Sequence, residues 1–212
     1  MPWPAQPEAD AIGSASAPLC PRSNLLSLPR SFFQRPAPAV AHDLIGTLLL
    51  VSGVGGIVVE AEAYDHHDPA SHSYRGPTAR NAAMFGPAGH AYVYRSHGLH
   101  WCFDIVCGEK PLGSAVLVRA LEPVRGLDLM RQRRGVADPR LLCAGPGRLT
   151  QALGITGALD GKPLDQPPFL ISAGQAPPDV VSGPRIGLTR GGDTPWRFGW
   201  AGSAFLSRPF RP

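Results

Sequence analysis

Apolar and polar residues alternate with a period of two in several short runs of the chain, which predicts strands joined by tight turns. Over 57–64, Ile57, Val59, Ala61 and Ala63 share one face; Val58, Glu60, Glu62 and Tyr64 share the other. The same period puts Tyr92 and Tyr94 together in a strand over 91–95. After a turn at 96–98, a return strand over 99–106 sets His100, Cys102 and Asp104 opposite Trp101, Phe103 and Ile105. A strand over 114–121 aims Ala115, Leu117 and Arg119 the same way. Shorter strands are expected at 47–51, 169–172, 185–188 and 195–200, with 52–56 as the turn before Ile57.

Between these runs the pattern turns helical. A turn over 30–35 buries Phe32 or Phe33, and Pro38 suits the first position of a helix that Gly46 stops. Helices are also expected over 126–134, after the Asp138-Pro139 cap, and from Gly145-Pro146-Gly147 to Leu153, with Gly154 as the stop. Residues 65–89 are too rich in Pro, Gly, Asp and Ser for regular structure, and loops of that length are usually functional or disordered. Residues 1–25, rich in Pro, Ala and Ser, are expected to form a disordered tail ahead of one domain over 26–212.

Composition narrows the function. The charge is +4 and the pI about 9.1, with arginine supplying every basic residue except Lys110 and Lys162. That balance suits an anionic partner and bidentate phosphate contacts. The four cysteines form no CxxC pair, so they are expected to be reduced and mostly buried. With no apolar run near the ~18 residues of a membrane span and no secretory signal, a cytoplasmic, nucleoid-associated protein is expected.

Candidate chemistry gathers in 57–106, which holds all four tyrosines and six of the seven histidines. Glu62 and Tyr64 lie side by side on one face, and an aromatic neighbour can both perturb an acid and stack a planar ligand. Asp65, His66, His67, Asp68 and His72 are competent metal ligands, but Pro69 breaks the run and no helical His pair exists. They are read as loop residues, without a metal or other cofactor. Arg75, Arg80, Arg95 and Arg119 frame the stretch, and Arg131, Arg133, Arg134, Arg140, Arg148, Arg185 and Arg197 follow, as a phosphate-binding rim.

Several motifs in order resemble the alkyladenine (3-methyladenine) DNA glycosylase family. They are Val59-Glu60-Ala61-Glu62-Ala63-Tyr64, Ala70-Ser71-His72-Ser73, Thr78-Ala79-Arg80-Asn81, Met84-Phe85, Ala91-Tyr92-Val93-Tyr94, Leu117 to Pro123 and Gly145-Pro146. The resemblance implies an α+β domain with a curved antiparallel sheet, flanking short helices and a protruding hairpin that enters the DNA minor groove. It implies a monomeric, monofunctional, metal-free enzyme that acts on double-stranded DNA containing alkylated bases. By motif position, Glu62 is the general base, Tyr64, His72 and Tyr94 hold the flipped base, and Arg119 lies near the scissile nucleotide. Arg75, Arg80, Arg95 and Arg197 are expected on the DNA backbone. His97 stands where many members have an intercalating tyrosine.

Asp104 stands where the family commonly has asparagine. An ionised Asp104 would lose the amide donor and favour cationic 3-methyladenine and 7-methylguanine over neutral hypoxanthine, and Asp104→Asn would then improve hypoxanthine excision. Neither lysine lies in a site motif, so no Schiff base and no strand cleavage are expected. The competing class is a non-catalytic damaged-DNA or single-strand-DNA binding protein, which would use the same aromatics and arginines without needing Glu62.

Overall fold

The computed structural model describes residues 26–108, 112–174 and 179–210. The expected tail over 1–25 and Lys110 lie outside them. Four α-helices are present: α1 (Arg30–Phe33), α2 (Ala37–Leu44), α3 (Leu127–Arg134) and α4 (Pro146–Leu153). The strands are β1 (Leu48–Val51), β2 (Val54–Tyr64), β3 (Ala91–Ser96), β4 (His100–Cys107), β5 (Ser114–Arg125), β6 (Phe169–Ser172), β7 (Val180–Gly183) and β8 (Arg197–Trp200). All pairings are antiparallel, in the order β3-β4-β5-β2-β1-β6. β8 joins the inner half of β2 beyond β1 and pairs β7 on its other side. The sheet curls, and with its short helices it forms one α+β domain.

Strand β2 is the axis of this sheet. It begins earlier than its sequence pattern suggests, because the turn is only Ser52-Gly53, both at positive φ as a two-residue hairpin requires. Gly55 and Gly56 lie within the strand. A Cβ on Gly55 would lie 2.0 Å from the Leu49 carbonyl oxygen, and one on Gly56 1.9 Å from that of Glu122. Glycine is there for close backbone approach, not for a turn.

The register of β2 against β5 slips on either side of Glu60. That irregularity corrects the expected faces. Val58 joins Ala61 and Ala63 in the main core, while Glu60, Glu62 and Tyr64 turn to the opposite face. One extra residue reverses the alternation upstream of it.

The main core lies between one sheet face and the helices. In α2 the buried residues are Ala37, Val40, Ala41 and Leu44, a stripe at i, i+3, i+4 and i+7. Ile45 is already extended and Gly46 has φ 87°, which ends the helix. In α4, Pro146 opens the first turn, Leu149, Ala152 and Leu153 are buried, and Gly154 closes it at φ 74°. Phe103 and Phe169 stack 5.5 Å apart across the core. Each such side chain stabilises by roughly 1.5–3 kcal/mol on burial.

The other face carries a smaller cluster of Met84, Tyr92, Val106 and Ala115 beneath the loop from β2 to β3. Asn81 pins that loop: its side chain donates to the carbonyls of His72 and Gly76 and accepts from Thr78. Residues 185–188 are not a strand. They cross the open face of β2 as irregular chain, and β7 forms instead at 180–183.

Candidate active site

A cavity of about 270 Å³ opens on the smaller-cluster face. Tyr64, His72, Tyr94, Asp104 and Arg119 line it, and Ile186 to Leu188 form one wall. Strand pairing explains the convergence. Tyr92 is registered with Asp104, and Asp104 with Leu117, so alternate residues of β3, β4 and β5 share this face with Glu62 and Tyr64.

Glu62 is fully buried. Its Oε1 accepts from the Ile186 amide at 2.7 Å, and its Oε2 from the Tyr64 hydroxyl at 2.9 Å and Arg119 Nη1 at 3.2 Å. Three donors fix the carboxylate in one orientation, and charge-assisted bonds of this kind are the strong ones. Glu60, equally buried, is its counterpart away from the cavity. It takes Arg119 Nε at 3.0 Å, Arg197 Nε at 2.9 Å and the Ser207 amide and hydroxyl at 2.5 and 2.8 Å. Two carboxylates and two guanidiniums thus balance in charge, and Arg119 bridges the acids. Burial opposes the Arg119 charge, but Glu62 and Glu60 outweigh it and hold the guanidinium above its ordinary pKa.

Arg197 was expected on the DNA backbone, and the structure corrects this. It is only 4% exposed and is spent on Glu60, the Arg208 carbonyl and the face of Phe210. Arg75, Arg80 and Arg95 are exposed. Arg80 donates to the Arg95 carbonyl at 3.0 Å, and Arg95 lies over the Trp101 ring. His97 and Leu99 are both exposed at the tip of the β3–β4 hairpin, His97 in the left-handed region at φ 49° and Leu99 77% accessible. Leu99 adds an apolar tip that the sequence pattern did not single out.

The aromatic side of the cavity is a set of edges and stacks. Tyr92 and Tyr94 stack at 4.8 Å, and the His72 ring meets Tyr94 edge-on at 4.6 Å. His72 Nδ1 lies 3.0 Å from the Tyr92 hydroxyl. Burial, then the nearby Arg80 charge, pulls His72 below the usual histidine pKa, so it is neutral at pH 7. Burial followed by Glu62 pushes Tyr64 well above the ordinary tyrosine range, so its hydroxyl stays a donor. Arg185, expected on a phosphate-binding rim, is instead buried: it sits 4.7 Å from the Tyr64 ring centroid and pairs with buried Asp68. It braces Tyr64 from behind.

Asp104 is the second correction. It is 3% exposed, and its Oδ1 is buried without a hydrogen-bond partner among the described residues. Burial, then the Glu62 charge, lifts its carboxyl well above the usual range, which favours the protonated acid over the ionised side chain expected from the sequence. The preference expected from an Asp104 charge therefore loses its premise.

Of the residues weighed as metal ligands, Asp65, His66 and His67 bring one ligand atom each within 4.8 Å of one another. Asp68 is engaged by Arg185, and His72 turns toward the tyrosines.

Residues 31–204 match the profile of the family described as methylpurine-DNA glycosylase (MPG). The chain belongs to this family. Methylpurine-DNA glycosylases are DNA glycosylases, hydrolases of N-glycosyl bonds, and membership implies a DNA substrate. A relative from Rhodopseudomonas palustris is 59% identical over 184 residues, covering 87% of this chain and 92% of the relative. One from Nitrosospira multiformis is 58% identical over 186 residues, 88% and 96% of the two chains. A second Rhodopseudomonas palustris protein is 55% identical over 205 residues, 97% and 96%. All three carry the provisional name 3-methyladenine DNA glycosylase. No helix among the described residues of this methylpurine-DNA glycosylase is long and apolar enough to cross a membrane.

Proposed function

We propose that this methylpurine-DNA glycosylase excises alkylated purines, 3-methyladenine and 7-methylguanine first among them, from duplex DNA and leaves an abasic site. Ethenoadenine and hypoxanthine are slower substrates, and the enzyme acts as a monomer in base-excision repair. The observation that carries this is Glu62: a buried carboxylate, fixed by three donors, beside an aromatic cavity whose rim carries an exposed hairpin tip.

A base inside the duplex is out of reach, so the damaged nucleotide must be turned out, at a cost of a few kcal/mol. The hairpin tip with His97 and Leu99 fills the gap, and exposed Arg75, Arg80 and Arg95 hold phosphates. Tyr64, His72 and Tyr94 receive the base. A cationic alkylpurine gains roughly 0.5–2 kcal/mol from the ring faces. Neutral His72 adds no repelling charge.

Glu62 then takes a proton from a water molecule as the water oxygen bonds to C1′ of the sugar. The glycosyl bond breaks and its electron pair leaves with the base, which departs neutral when it was cationic. Glu62, aimed by Arg119, also stabilises the positive charge that develops on the sugar. Lys162, the one lysine among the described residues, is exposed and does not line the cavity, which supports water as the nucleophile and an intact strand.

Glu62→Gln is the test. Single-turnover excision of 7-methylguanine should fall about 10²–10⁴-fold while affinity for the same duplex is retained. A variant that keeps its excision rate would refute the assignment, and a wild type that binds damaged DNA without excising it would mark a binding protein.

A further inference from the structure

Two buried carboxyl groups, Asp104 in the cavity lining and Glu62 beside it, are in opposite condition. Glu62 is anchored by three donors, including a guanidinium. Asp104 lies on the adjoining strand face, 3% exposed, with Oδ1 buried and unpartnered among the described residues. An anion so placed would be uncompensated, since the nearby Arg119 is already shared between Glu60 and Glu62. A protonated carboxyl at the same place is uncharged and carries an O–H that no protein acceptor claims. Acids whose surroundings separate them in this way tend to divide into a base and an acid.

We propose that Asp104 is the proton donor for neutral purines, giving its carboxyl proton to a ring nitrogen of the extruded base as the glycosyl bond breaks. This presupposes the glycosylase activity proposed above. The step balances. Water yields hydroxide to C1′ and a proton to Glu62; the glycosyl electron pair goes to the purine, which takes the Asp104 proton and leaves neutral. Asp104 becomes a carboxylate as Glu62 becomes an acid, and solvent exchange in the emptied cavity returns both to their starting forms. A cationic alkylpurine needs no such proton, because its charge already makes it a leaving group.

The two transfers assist each other. Burial is the main reason that Asp104 keeps its proton, and the Glu62 charge is the second. When Glu62 is protonated by the attacking water, that second restraint disappears and Asp104 becomes the stronger acid. The other titratable groups turned toward it are Tyr64 from β2, Tyr92 and Tyr94 from β3, Cys102 on its own strand, Arg119 from β5 and His72 from the loop. The three tyrosines are held above their ordinary range and Cys102 is pushed up to about 12, so these four stay neutral near pH 7. His72 is also neutral there, which leaves Glu62 as the charge that bears on Asp104.

Asparagine has the shape of the protonated acid and keeps an N–H donor, but it cannot release a proton. Single-turnover rates of the full-length wild type and Asp104→Asn should therefore be compared on two duplexes, one with hypoxanthine and one with 7-methylguanine. The substitution should lower the hypoxanthine rate about 100-fold more than the 7-methylguanine rate. In the wild type, hypoxanthine excision alone should fall at alkaline pH as Asp104 loses its proton. Equal changes on both bases, or faster hypoxanthine excision by the variant, would overturn the proposal. So would a wild type that excises 7-methylguanine but leaves hypoxanthine intact. A wild type that excises neither base refutes the glycosylase activity itself, and the proposal falls with it.

Discussion

Replacing Arg197 by methionine tests whether the charged tetrad holds the fold or meets DNA. Methionine approximates the length of the aliphatic stem and can still pack on Phe210, so the change removes charge more than volume. What remains is Glu60, Glu62 and Arg119, a buried group with one excess negative charge. Removing one partner of a buried ion pair costs about 3–5 kcal/mol. Glu60 retains Arg119 and both donors of Ser207, so the lower end, about 3 kcal/mol, is expected. For a domain of this size each kcal/mol moves Tm by about 2–4 °C, which gives a fall of about 6–12 °C by calorimetry. Binding to an undamaged duplex, measured well below Tm across a salt series, should keep its slope because a buried guanidinium releases no counterion. Arg95→Met should instead leave Tm unchanged and reduce the slope by about 0.9. If the Arg197 variant melts with the wild type and binds with the shallower slope, Arg197 reaches the phosphates and its burial has been misjudged.

The acid limb of 7-methylguanine excision should belong to His72. Its pKa is held down by burial and then by Arg80, so the fall in activity is centred below the ordinary histidine value, as the ring gains a charge that repels the cationic base. Arg80→Ala should move that limb upward, as a rate–pH profile would show. Gly56→Ala should destabilise by about 1–3 kcal/mol or more in urea unfolding, because its Cβ would meet the Glu122 carbonyl oxygen at 1.9 Å. A substitution without cost would mean that β2 and β5 are free to separate there.

Alternation made much of this legible. The pairing of Tyr92 with Tyr94 and of Glu62 with Tyr64 followed from a period of two, and the helix stops at Gly46 and Gly154 from their need for positive φ. What failed had a common cause: contacts distant in sequence. The slip around Glu60 depends on how β5 pairs with β2, so Val58 could not be assigned from its own strand. Arg197 looked like any other basic residue until Glu60, 137 positions earlier, was seen to claim it. The 185–188 segment reads as a strand by composition, but its Ile186 amide is committed to Glu62 and its Arg185 to Asp68. Asp104 alternates correctly with its neighbours, and only its burial without a partner for Oδ1 sets it apart from an ordinary ionised carboxylate.

The anchorage of Glu60 and Glu62 also sets when in its own synthesis the enzyme can become competent. Both acids are among the earlier residues of the domain, yet their partners at Ile186, Arg197 and Ser207 follow by 124 to 147 positions. A nascent chain carries the tyrosines proposed to hold the base long before it carries the Ile186 amide that orients Glu62. Chains cut short by a premature stop before these partners would thus be left with unpaired acids where the reaction should occur. On the proposed role of Glu62, activity is withheld until the chain has been made through Ser207.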